Sequence, residues 1–343
     1  MIVYKIIVCL LVAFIAKQKD YNSVRFPIDA ELNHSIIETE PVLIGKSTRL
    51  LISGDYLVFF RGKAENMNLC SFFDYPSLNY IGDYGNFGRG PNEFPYPDVQ
   101  NAVATDSGFA LFDMIKGFVF INVHNLINGC DFIYRQIRTP GELYMLNDAH
   151  IINDSVIIGM PYMGNAENMY VIYNTHRVNI NYFGEYPDIF GNKSSNELWA
   201  AFWRHSTVKP DGTAIASFFD SQKLLRIYSS AGKLLKEVMM KPQRDYFSDK
   251  YRNREGLTHY YKVVNSTDKY LYALCYNAKL KNFLETHPVI EVWDWNGKPV
   301  ARFRMGNSVL TFEVTPDDDK IFCIDNQTSN KIYVYNIGDI LRQ

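Results

Sequence analysis

Ser53-Gly54-Asp55-Tyr56-Leu57-Val58-Phe59 sets a polar turn built on an aspartate directly before an apolar run, and the chain repeats this arrangement five more times. The other copies are Asp106-Ser107-Gly108 into Phe109-Ala110-Leu111, Asn153-Asp154-Ser155 into Val156-Ile157-Ile158, and Pro210-Asp211-Gly212 into Ala214-Ile215-Ala216. Thr267-Asp268-Lys269 into Tyr270-Leu271-Tyr272 and Asp317-Asp318-Asp319 into Ile321-Phe322-Cys323 complete the set. The aspartates at 55, 106, 154, 211, 268 and 318 are 51, 48, 57, 57 and 50 positions apart. A period of roughly 40–50 residues with several short strands per unit is the sequence mark of a β-propeller.

A second ladder runs in phase with the first. Cys70-Ser71-Phe72-Phe73-Asp74, Phe118-Val119-Phe120-Ile121-Asn122 and Tyr170-Val171-Ile172-Tyr173-Asn174 are aliphatic and aromatic runs that end on a polar residue. Arg226-Ile227-Tyr228-Ser229, Ile290-Glu291-Val292-Trp293-Asp294 and Ile332-Tyr333-Val334-Tyr335-Asn336 continue the series. Ser230-Ala231-Gly232 and Trp295-Asn296-Gly297 then turn the chain into another strand, the glycine supplying the positive φ of a tight hairpin. Each unit therefore reads as four antiparallel strands, and the expectation is an all-β, six-bladed propeller. The last unit lacks an outer strand before the chain ends, whereas residues 36–44 alternate like a strand and precede the first unit. They are expected to supply that outer strand and so close the ring with the N-terminus.

The composition agrees with a large β core: 343 residues, 47% hydrophobic and 15% aromatic, with 24 Tyr and 23 Phe. A formal net charge of −2 leaves no basic surplus for nucleic acid or an anionic membrane surface. Residues 1–16 carry Lys5 and then an unbroken apolar run over 6–16, too short for a membrane span and suited to a signal peptide. The expected organisation is thus a signal peptide over 1–16, a linker over 17–35 and a propeller over 36–343, exported and without a transmembrane span. Cys9 lies in the leader. Cys70, Cys130, Cys275 and Cys323 fall in or beside strands of four different blades, with no metal-type spacing; buried thiols are expected, a cross-blade disulfide being the alternative.

Gly88-Arg89-Gly90-Pro91-Asn92-Glu93-Phe94-Pro95-Tyr96-Pro97 resembles the Gly-x-Gly-Pro-Gly/Asn-Glu-Phe-x-x-Pro signature at the first blade junction of NHL-like and TolB-like propellers. With the leader and the repeats, residues 40–343 resemble the secreted bacterial six-bladed propellers of TolB-like type. The resemblance implies a periplasmic or surface-exposed protein and no particular activity. Many relatives of that type carry a lipidated cysteine directly after the leader, where this chain has Lys17. Within the motif, Gly88, Gly90, Pro91, Asn92, Glu93 and Phe94 read as a blade linker, with Glu93 placed to cap backbone amides of its own loop.

Loops that enter the innermost strands, and loops that join the second and third strands, line one mouth of a propeller channel. Projecting the repeat onto that funnel selects Arg61, Asp113, Lys116, Arg204, His205, Asp220, Lys223, His259, Tyr260, Tyr276 and Asp325. Arg204-His205 and Thr258-His259 enter blades four and five at equivalent positions, so the two histidines are expected near the axis. The links over 184–202 and 241–258 are long; the second has helical residues and a glycine stop, and Tyr246, Phe247, Tyr251, Tyr260 and Tyr261 are expected as an aromatic rim. Asp317-Asp318-Asp319 reads as a solvated hairpin turn. No nucleophile-elbow, P-loop or zinc-helix motif occurs. The expected function is a non-catalytic extracytoplasmic binding or scaffold propeller, a monomer engaging a glycan, peptide or envelope protein. A sensory or assembly role in an envelope complex is a related reading. The alternative is a hydrolase or lyase with a divalent cation in the channel, for which Asp113, Asp220 and Asp325 are the projected carboxylates.

Overall fold

A computed structural model describes residues 24–39, 44, 47–62, 68–143, 145–153, 155–162, 167–248, 255–325 and 327–342. The leader with Cys9, residues 40–43, Asp154 and residues 249–254 with Tyr251 lie outside the described residues.

Six four-stranded antiparallel sheets are arranged as blades. Their first strands are Ser47–Ser53, Pro97–Thr105, Asn147–Asn153, Arg204–Val208, Thr258–Ser266 and Val309–Val314. Each touches the next around the axis, and the last touches the first, so these are the inner strands of a closed ring. The aspartate turns join inner to second strands at one end. The aromatic runs of the second ladder are the third strands, from Cys70–Asp74 in blade one to Lys331–Asn336 in blade six.

Apolar side chains gather in six clusters, one between each pair of neighbouring blades. The second strands explain why. In Tyr56–Arg61, Leu57 and Phe59 face blade six while Val58 and Phe60 face blade two. A strand packed on both faces needs apolar residues at every position, so the two-residue period disappears from its sequence.

The N-terminal residues extend two blades. Ile28–Leu32, within the span expected to be a linker, lies parallel to the outer strand Pro299–Met305 of blade five. Its alternating exposure, with Leu32 buried, matches a strand covered on one face only. Phe26 packs edge-on against Trp293 beside it. His34–Glu38 then pairs antiparallel with Lys331–Asn336 as the fourth strand of blade six. This strand starts two residues before the expected segment, at a histidine whose ring packs on Tyr333 and Tyr335.

Among the described residues all four cysteines are free thiols. Cys70, Cys275 and Cys323 are buried, which raises each thiol's pKa, whereas Cys130 is exposed in a loop of blade two. The Asp317–Asp319 turn is not simply solvated. Asp318 is buried and accepts hydrogen bonds from Thr267 Oγ1 at 2.6 Å and Tyr272 Oη at 2.8 Å, so the turn of blade six is tied to blade five.

Candidate functional site

The funnel is built by the inner-strand entries. Side chains alternate along a strand, so successive residues at an entry turn to opposite faces of the blade. The second residue of four consecutive inner strands is titratable: Asp98, Asp148, His205 and His259. Three of these entries, with Met114 from the second-to-third-strand turn of blade two, line a cavity of about 380 Å³ over blades two to four. Its walls include Tyr96, Leu146 and Trp203. Trp203 is backed edge-on by Trp199 at 4.9 Å, whose Nε1 donates to the Pro161 carbonyl at 2.9 Å. Trp199 belongs to the helix Ser195–Ala201, started by a capping box between Ser194 and Glu197. The long link over 184–202 therefore builds one wall of the mouth.

Asp148 is the most constrained residue of the cavity. Its backbone is left-handed at φ 49°, and its side chain is 6% exposed. One oxygen accepts the Ser206 N–H at 3.0 Å and lies 3.1 Å from His150 Nε2; the other has no hydrogen-bond partner among the described residues. Burial would raise its pKa, but His150, the Ser206 side chain and His205 outweigh burial and hold the carboxyl at about 2. Asp98 receives Asn101 Nδ2 at 2.9 Å and the Gln100 N–H at 3.2 Å. There burial wins and its pKa is raised. His205 is lowered, burial outweighing the attraction of Asp220 and Asp148, and its Nε2 has no partner among the described residues. On the other side of the mouth, Asp220 binds His259 Nδ1 and Lys262 Nζ, each at 2.8 Å, linking blades four and five.

Several projected residues serve the fold instead. Arg204 and Tyr260, expected to be accessible, are buried, because alternation turns them away from His205 and His259 into the interfaces of blade four with blades three and five. The Arg204 guanidinium lies 4.0 Å from the Tyr170 ring centre and donates to the Met169 and Phe202 carbonyls. Arg61 is buried between strands of blade one, on Ser71 and Asp83. Tyr276 donates to the Val309 carbonyl at 2.7 Å and stacks on Phe283; burial pushes it up to about 12. Lys223 pairs with buried Glu291 at 2.8 Å, which also accepts Tyr261 Oη at 2.7 Å.

The three projected carboxylates do not converge. Asp113 accepts the N–H groups of Tyr96, Ile115 and Lys116 at 2.8–3.0 Å, and Asp325 accepts those of Gln327 and Thr328 at 3.1 and 2.8 Å, so each closes its own hairpin turn. Among the described residues no group of three or more His, Cys, Asp or Glu side chains is placed to hold a metal ion. The expected aromatic rim is an internal layer. Tyr246 is buried with its hydroxyl on the Ala200 carbonyl, Phe247 stands edge-on to Phe190 at 4.9 Å, and Tyr261 lies in the core. Of the segment with helical residues, 244–248 form turns, and 249–254 lie outside the described residues.

The Gly88–Phe94 stretch folds onto itself. Glu93 accepts the Gly90 N–H at 2.8 Å, and a Cβ at Gly88 would meet the Glu93 carboxylate, so a larger residue there would have to displace that side chain. Lys116 Nζ donates to the Gly90 and Pro91 carbonyls at 3.1 and 2.6 Å, Phe94 is buried against Phe132, and Asn92 reaches Asp131. The motif thus fastens blade one to the turn of blade two. Asp98, Asp148, His150 and Trp203 escape projection of the histidines alone. The two aspartates are legible in the strand register, because Asp98 and Asp148 occupy the positions of His205 and His259.

No family model matches the chain, and no curated protein matches it. Solved structures resemble it in fold. A member of the DUF4221 family from Bacteroides vulgatus aligns with a TM-score of 0.60 at 13% identity, over 90% of this chain and 96% of that one. A protein from Bacteroides fragilis described as exported aligns with a TM-score of 0.53 at 13% identity, over 90% of this chain and 98% of that one. At such identity the likeness establishes a shared propeller fold.

Proposed function

We propose that this protein is a non-catalytic binding propeller that takes part of a glycan, peptide or envelope protein into the funnel cavity over blades two to four. The observation that carries this reading is the cavity itself: apolar walls around Asp98, Asp148 and His205, with a buried carboxylate oxygen at Asp148 left without a partner among the described residues. An apolar pocket with a few convergent polar groups is the usual form of a binding site. The short apolar leader supports export, and the Gly88–Phe94 motif supports kinship with TolB-like propellers. No helix of the described residues is long and apolar enough to cross a membrane.

The test is a glycan and peptide binding screen on the wild type and on Met114→Trp, which fills the cavity mouth. Binding that is lost in the variant at an unchanged melting temperature supports the reading. Ligands that bind both proteins equally place the site elsewhere.

A further inference from the structure

We propose that the funnel cavity receives an alkylammonium group, the side chain of a lysine or the amino terminus of a peptide. This rests on the binding reading above and names the chemistry of its ligand. Asp148, one of the residues that line the cavity, has a buried carboxylate oxygen that no described residue satisfies. A buried charge held that way calls for a counter-charge. The neighbouring cations are occupied elsewhere: Lys262 by Asp220, and Arg204 by the Met169 and Phe202 carbonyls over the Tyr170 ring. His150 shares only the other oxygen of Asp148.

Geometry separates ammonium from guanidinium. A guanidinium fork is matched by both oxygens of one carboxylate, and Ser206 and His150 already hold one of those of Asp148. A point charge with three rotatable donors fits the single oxygen that remains, with Asp98 as a second acceptor on the same cavity. Trp203 and Tyr96 give aromatic surface for the ammonium and its methylenes. A divalent cation would need a third ligand, and no such group is placed among the described residues.

The experiment is calorimetric titration of the full chain with Nα-acetyl-lysine amide, its uncharged counterpart Nα-acetyl-norleucine amide, Nα-acetyl-arginine amide, and leucine amide with its free amino group. The lysine probe should bind at least about ten-fold more tightly than the norleucine and arginine probes, the range expected for a hydrogen bond to a charge. Tight binding of leucine amide in place of the lysine probe would identify the amino terminus as the source. Asp148→Asn keeps the shape and tolerates the left-handed backbone; it should weaken the ammonium probe about ten-fold and leave norleucine unchanged. Asp98→Asn, whose amide oxygen can still accept the Gln100 N–H while the bond from Asn101 Nδ2 is lost, is the second variant should the first lose its fold. Equal binding of the charged and uncharged probes, or no effect of either variant, overturns the assignment. Glycans that bind and are blocked by Met114→Trp while neither ammonium probe binds overturn only the ammonium assignment. Absence of any ligand blocked by Met114→Trp overturns the binding reading as well.

Discussion

The guanidinium of Arg49, on the inner strand of blade one, lies 2.9 Å from the carboxylate of Glu313 on the inner strand of blade six. The same Arg49 donates to Asn265 Oδ1 of blade five at 2.6 Å, and Asn265 Nδ2 donates to the Phe312 carbonyl at 2.6 Å. Three blades therefore meet through one buried cation.

Glu313 makes stability depend on pH. Burial pushes its carboxyl from 4.5 up to about 7, although Arg49 pulls it down. With the folded pKa raised, the native state holds a proton that the unfolded chain releases. The contribution is complete below pH 4.5 and is lost as pH rises through about 7. At about 1.4 kcal/mol per unit, the span is about 3 kcal/mol. Glu313→Gln should remove it. Thermal unfolding of both proteins at pH 5 and pH 8 is the check: the variant should gain on the wild type as pH rises, and a constant difference would show that the Glu313 carboxyl is not the source.

The N-terminal strands are expected to fasten the ring. His34–Glu38 fills the outer position of blade six, and Ile28–Leu32 adds to blade five. Removing residues 24–39 would expose the edge of Lys331–Asn336 and uncover Trp293 and Tyr335. The melting temperature should fall by about 10 °C or more, since each kcal/mol shifts a domain of this size by about 2–4 °C. An unchanged melting curve would show that these strands only decorate a ring that holds without them.

Arg204→Ala and His205→Ala should behave oppositely although the residues are adjacent. The first leaves the Met169 and Phe202 carbonyls unpaired and a gap beside Tyr170, costing about 3 kcal/mol. The second should cost under about 1 kcal/mol at neutral pH. His205 is also depressed from 6.5 by burial, so its contribution is present above pH 6.5 and lost as pH falls. His205→Ala should therefore lose less stability than the wild type between pH 6.5 and pH 5. Denaturant unfolding of the three proteins separates these outcomes.

The blade count, the third strands and the funnel face are legible in the residues alone, because an aspartate turn and an aromatic run recur in phase. The site is legible only in part. Arg204 and His205 look equal in the sequence, while the pleat sends them to opposite faces of the blade and seats the Arg204 guanidinium on Tyr170 of blade three. Asp113 and Asp325 look like free carboxylates in a sequence, yet each is consumed by its own turn. The strand at Ile28–Leu32 has no signal of its own kind: one covered face and an edge position demand little of five residues.

The register that separates Arg204 from His205 has a further consequence for how this protein can diversify. Residues 204 and 205 share a strand but answer to different selections, one set by packing and the other by whatever enters the mouth. A saturation scan of residues 203–208 should show tolerance that alternates with a period of two. Exchange of His205, one codon away from many residues, changes the wall of the cavity while the Arg204 contacts between blades three and four stay as they were.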